Sequence, residues 1–143
     1  MSKIKSFIAL ETTSWIEFPD IDGFEVHLRF FCREDLVKVR NQSLTFKFNK
    51  RTRQREEEID NDRFLEGYSA KAILGWRGLK IKHLPMLLPV DISGANAEEP
   101  VEWSEEEAKD LLQSSSIFDQ FITDAMNDFE QFSKKKAEVA AKN

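Results

Sequence analysis

The clearest periodicity lies late in the chain. Phe118, Phe121, Ile122, Ala125, Phe129 and Phe132 recur at i, i+3, i+4, i+7, i+11 and i+14, which is one face of an α-helix. Before them, Ser104-Glu105-Glu106-Glu107 has the form of a capping box. Its serine accepts a bond from the amide three residues on, and the third glutamate reaches back. That box opens a helix with Ala108, Leu111 and Leu112 apolar. The run Ser114-Ser115-Ser116 ends it and supplies the next N-cap. A further helix is predicted over residues 62–76, with Leu65, Tyr68, Ala72, Ile73 and Trp76 at helical spacing and Asn61 or Asp62 as the cap. Gly78 suits its termination, and close helix packing accounts for Gly67 and Gly75 inside the pattern.

The first third of the chain has a different period. Phe24-Glu25-Val26-His27-Leu28-Arg29-Phe30 alternates strictly between apolar and polar, as a half-buried strand does. Residues 14–18 form a second short strand. The segment Pro19-Asp20-Ile21-Asp22-Gly23 between them has turn chemistry, so the whole reads as a hairpin with a loop of about five residues. Residues 33–42 read as a short helix, with Glu34 and Asp35 in its first turn. Residues 44–48 alternate again and make a third strand, with Phe46 and Phe48 on its apolar face and core packing as their default. Residues 49–58, NKRTRQREEE, contain nothing apolar and read as an exposed loop dispensable for folding. Residues 83–102 are a connector holding Pro85, Pro89 and Pro100. Its first half is expected to pack as one helical turn, and residues 93–99 to project.

Strands first and helices later give an α+β fold. The expected architecture is a small N-terminal antiparallel β-sheet of two to three strands, packed with a C-terminal set of about three to four helices. Residues 1–132 are read as a single domain with exposed loops near 49–58 and 89–102, followed by a flexible basic tail, 133–143. A chain of 143 residues buries enough surface for a core without disulfides or metal. Twelve phenylalanines among the aromatic residues argue against long disorder.

Net charge is −5, but its distribution is more telling than its sum. Residues 29–55 hold nine Lys or Arg against Glu34 and Asp35, and residues 98–130 hold eleven acids against Lys109. Such polarisation fits either intramolecular complementarity and solvated faces or docking on a partner with a mixed surface. No stretch reaches the roughly 18 apolar residues of a membrane span, and the apolar FIAL near the N-terminus is too short for a secretory signal. The single cysteine, Cys32, suits a reducing cytoplasm. It is expected to be a buried or semi-buried structural thiol.

Chemistry-bearing motifs are sparse. His27 and His83 are far apart, and no His, Cys or carboxylate cluster has metal-ligand spacing. Cys32 and His27, straddling a strand end, are not expected to converge as a nucleophile and base. The five glycines match no nucleotide fingerprint. No catalytic, metal or cofactor-binding residue is therefore assigned. The one nucleic-acid candidate is residues 47–55, KFNKRTRQR, set against a negative overall charge.

Two segments carry a family resemblance. They are FLEGYSAKAILGWRGLK, residues 64–80, and VEWSEEEAKDLLQSSSIFDQFITDAMNDFEQF, residues 101–132. A helix ending in a Trp-x-Gly step, a variable loop, a Ser-led acidic helix with paired leucines and a Phe-rich helix together resemble the tail assembly chaperones of long-tailed bacteriophages, of siphovirus type. The segment GFEVHLRFFCREDLVKVR, residues 23–40, resembles the opening of that family. The resemblance implies a small α+β protein without enzymatic activity or cofactors. It implies binding to the hydrophobic, largely helical tape-measure protein, which stays soluble until tail-tube subunits polymerise around it. The implied setting is the host cell cytoplasm, with absence from the mature virion. Further implied partners are the tail tube protein, a longer frameshifted form of the chain, and the chain itself.

On this resemblance, an apolar surface of the helical half is expected to bind the partner, with Trp76, Leu79, Trp103, Phe118, Phe121 and Phe129 as its candidate residues. Core packing is the competing role for the Phe ladder. The family also implies a programmed −1 frameshift, for which Lys134, Lys135 and Lys136 are the candidate region. A solvated basic helix end explains the same lysines. Two alternatives stay open: a structural tail or head–tail connector component, and a nucleic-acid-binding regulator using residues 47–55.

Overall fold

A computed structural model describes residues 2–7, 12–128 and 132. A five-residue helix, α1 (Lys3–Phe7), precedes the sheet and has no buried residue. Strands β1 (Thr13–Glu17) and β2 (Glu25–Arg29) form the expected antiparallel hairpin, with Trp15 opposite His27. The Phe18 amide donates to the Phe24 carbonyl at 2.8 Å, which leaves residues 19–23 to make the reversal. Alternation buries Ser14, Ile16, Val26 and Leu28 on one face and sends Trp15, His27 and Arg29 to the other.

The third strand of this sheet comes from a segment expected to be helical. Helix α3 (Asn61–Ala72) stops four residues early, and β5 (Ile73–Arg77) follows, pairing with β2 in the order β1-β2-β5. The register explains the difference. Gly75 stands opposite His27 while Ile73 stands opposite Leu28, so Leu74 is an extra, bulged residue. A bulge keeps Ile73 and Trp76 on the same face although they are three apart, and that spacing imitates a helix. The helix cap also differs: Asp60, one residue upstream of the expected pair, accepts the Arg63 amide at 3.2 Å. Gly67 does mark close packing, since a Cβ there would lie 3.4 Å from Val39 Cγ1 on helix α2 (Arg33–Gln42). Gly75, by contrast, lies in a strand.

A second correction concerns residues 49–58. Strand β3 (Leu44–Asn49) is paired along its whole length with β4 (Gln54–Ile59), and only a tight turn separates them, with Arg53 at φ 56°. The segment is thus half of a β-hairpin. The abrupt sign change in its sequence is a cross-strand device: Lys47 stands opposite Glu56, and Asn49 Nδ2 donates to Glu56 Oε1 at 2.7 Å. Phe46 and Phe48 depart from the core default as well, being 59% exposed each. Cys32 is also exposed rather than buried. It precedes α2, whose Asp35 carboxylate accepts its amide at 3.0 Å.

The connector is more ordered than its composition suggests. Its first half forms a 3-10 helix (Ile81–Met86), matching the expected helical turn. Residues 93–100 are exposed, and the loop is tied back at its base. Ile81 and Lys82 amides donate to the carbonyls of Glu99 and Ala97, both at 3.0 Å, and the Val101 amide donates to the Leu79 carbonyl. Lys80 and Lys82 each reach the Glu98 carboxylate at 3.0 Å.

Helices α4 (Glu105–Ser114) and α5 (Ser116–Asn127) complete the fold. Their caps are those the sequence predicts: Ser104 accepts the Glu107 amide at 3.1 Å and Ser115 the Phe118 amide at 3.0 Å. Ser115 also donates to the Leu87 carbonyl at 2.6 Å in a buried setting, so one hydroxyl caps α5 and pins the connector. The inner sheet face and the helices enclose one core containing Phe24, Ile73, Trp76, Leu112, Phe118, Ile122 and Phe132. Phe24 and Phe118 both meet Trp76 edge-on, at centroid separations of 6.3 and 6.2 Å. The fold class is α+β as expected, with the third strand drawn from mid-chain.

Candidate functional site

The structure distributes the predicted partner-binding residues among different environments. Phe118 is fully buried, and Trp76 and Leu79 are buried, so these three pack the core. Trp76 also donates its indole N–H to the Val101 carbonyl at 2.8 Å. Trp103 and Phe121 are half-buried. Phe129 and the lysines 134–136 lie outside the described residues. Trp76, Leu79 and Trp103 line one groove of about 500 Å³ beside the outer sheet face, together with Trp15 and His27. There His27 stacks on Trp15 at 4.7 Å, and the Arg77 guanidinium lies 4.3 Å from the Trp15 ring centroid. Phe121 belongs to a second groove on the far side of β1.

This second groove, also of about 500 Å³, runs between the end of β1 with its reversal and helix α5. Its apolar lining is Ile16, Phe18, Ile117, Phe121 and Ala125, with Pro19 at one side. Phe18 is anchored by Phe24 beneath it and by Phe121 across it, at 5.6 and 5.0 Å. Ile117 is 50% exposed. It sits one position before the buried face of α5 begins, so the helix presents it at the groove edge rather than to the core. Four carboxylates rim the floor: Glu17 and Asp20 from the strand side, Asp124 and Asp128 from the helix side. Gln120 reaches along the helix to Asp124 at 2.8 Å.

The physical consequence is an apolar trough in a negative field. An occupant with an apolar stripe flanked by Lys or Arg would bury Ile117 and Phe121 and meet opposite charge on both banks. A helix laid in a groove is read through such anchors. Sequence reasoning found Phe121 but missed Ile16, Phe18, Ile117 and the four acids. Ile117 could have been noticed as a large apolar residue off the periodic face. The reversal acids looked like ordinary turn chemistry.

A family model described as YdaY prophage protein matches residues 35–143, which takes in everything from the first turn of α2 onward. No curated protein and no solved structure matches the chain.

Proposed function

The chain belongs to the YdaY prophage protein family and is phage-derived, and from that premise we propose that it is a tail assembly chaperone that holds the tape-measure protein soluble while the tail tube polymerises. The observation that carries the proposal is the acid-rimmed apolar groove between β1 and α5. A long helical protein with an uncovered apolar stripe aggregates unless that stripe is shielded. A trough that exposes Ile117 and part of Phe121 over the buried Phe18 offers the shield, and Glu17, Asp20 and Asp124 select basic flanks. The trough is open and short, so binding is reversible, as displacement by tube subunits requires. The work is binding rather than catalysis. It takes place in the host cytoplasm, and the protein is left out of the finished virion.

The experiment is co-expression with the tape-measure protein of the same phage, followed by co-purification. Wild type keeps that protein in the soluble fraction. Ile117→Asp places a fifth carboxylate on the apolar floor and weakens capture at least about tenfold, with the circular dichroism spectrum unchanged because Ile117 is half exposed. Phe121→Asp is a poorer probe, since Phe121 also packs on Phe18. Equal capture by wild type and Ile117→Asp rejects the groove.

A second reading, a nucleic-acid-binding regulator, draws on one observation. Lys50, Arg51 and Arg53 lie exposed at the turn between β3 and β4. A mobility shift of duplex DNA that weakens steeply with salt would support it.

A further inference from the structure

The β3–β4 hairpin has an apolar face that the described molecule leaves largely uncovered. In its register Leu44 stands opposite Ile59, Phe46 opposite Glu57 and Phe48 opposite Arg55. Strand alternation puts these six side chains on one face. The other face holds Thr45, Lys47 and Asn49 with Gln54, Glu56 and Glu58. Leu44 and Ile59, at the base, are half-buried. Phe46 and Phe48, further out, are each 59% exposed, and the Arg55 guanidinium lies 4.8 Å from the Phe46 ring centroid. The two strands form a sheet of their own. A two-stranded hairpin is marginal in water, and open edges with exposed aromatic side chains invite pairing.

We propose that this face is the interface between two copies of the chain. The hairpins stack face to face with their strands antiparallel, about a two-fold axis lying in the interface and crossing the strands. The axis passes between the Phe46–Glu57 and Phe48–Arg55 pairs. This operator sets Phe46 of each copy over Phe48 of the other, and Glu57 of each over Arg55 of the other. The patch is therefore self-complementary in residue type and in charge, as a two-fold contact demands. The same operator carries the basic turn, Lys50 to Arg53, toward Asp60 and Asp62 at the start of α3 of the second copy. Nucleic acid is the poorer occupant for this face, because its one cation is matched by one anion. The proposal is independent of the groove and of the chaperone reading.

Sedimentation equilibrium of the full chain over the micromolar range is the test. Wild type shows a monomer–dimer equilibrium. Phe46→Ser and Phe48→Ser each move its midpoint at least about tenfold toward higher concentration, with unchanged far-ultraviolet circular dichroism. Arg55→Glu and Glu57→Arg each weaken the dimer by opposing like charges, and the double variant Arg55→Glu/Glu57→Arg restores it. A chain that stays monomeric throughout overturns the proposal. So does a dimer indifferent to the phenylalanine substitutions, a double variant without rescue, or a monomer whose hairpin instead shifts duplex DNA.

Discussion

The three-stranded sheet and the β3–β4 hairpin are both antiparallel, yet opposite principles hold them together. In the sheet, Ile16, Val26, Leu28, Ile73 and Trp76 face a layer of helices and are buried. Burial of apolar area sets the register, because a one-residue slip would turn that set outward. In the hairpin, nothing comparable is buried. Its register is accompanied by cross-strand contacts, the Arg55 guanidinium over Phe46 and the Asn49–Glu56 hydrogen bond, with Lys47 placed opposite Glu56. Such pairs contribute only about 0.2–1 kcal/mol each. One region is fixed by the core, and the other projects from it with a surface to spare.

The comparison breaks first if the core does not dominate. Phe118→Ala empties the contact between α5 and Trp76 and is expected to cost about 3–5 kcal/mol, read as a large fall in melting temperature. Ser115→Ala ranks next. It removes the N-cap of α5 and leaves the Leu87 carbonyl buried without its donor, a loss of about 2 kcal/mol by urea denaturation. A smaller effect comes from acid. Burial and the neighbouring lysines, Lys82 and Lys80, hold the His83 pKa below its usual 6.5, against the opposing pull of Glu98, and neutral Nδ1 accepts the Lys80 amide at 3.0 Å. A lowered folded pKa means stability fully present above 6.5 and lost as pH falls through the folded value. His83→Asn should flatten that decline in thermal melts taken across the range.

The smallest effect is expected in the hairpin. Ser43 and Asp60 are joined at its base by a 2.8 Å backbone bond, so replacing residues 45–58 with a short Gly-Ser link leaves α2 and α3 in place. The body should lose no more than about 1 kcal/mol, measured at low concentration where dimerisation adds no stability. A collapse of the melting transition would show that the hairpin is part of the core after all.

The same division decides what was legible in the sequence. Elements whose apolar residues face the core could be read, as in the β1–β2 hairpin and the helices opened by the Ser104 and Ser115 caps; α2, with only Val39 buried, was legible instead from the acids of its first turn. Strand β5 carries the pattern of a helix because its bulge at Leu74 gives Ile73 and Trp76 a helical spacing. Strand β4 was missed because its partner, not its own polarity pattern, makes it a strand. The surface proposed to dock the partner was legible only in part. Periodicity marks the buried stripe of α5, so it singles out Phe118, whereas a docking groove uses the residues beside that stripe, such as Ile117. The carboxylates that give the groove its sign come from two distant segments, and only the fold brings them together.

The most direct test of the account is a hydrogen-exchange footprint of the chain bound to the tape-measure protein. The groove reading predicts new protection in residues 16–20 and 117–128, with the hairpin, residues 44–59, unchanged by the partner. Protection confined to the hairpin, or to the opposite groove around Trp15, His27 and Trp103, would contradict it.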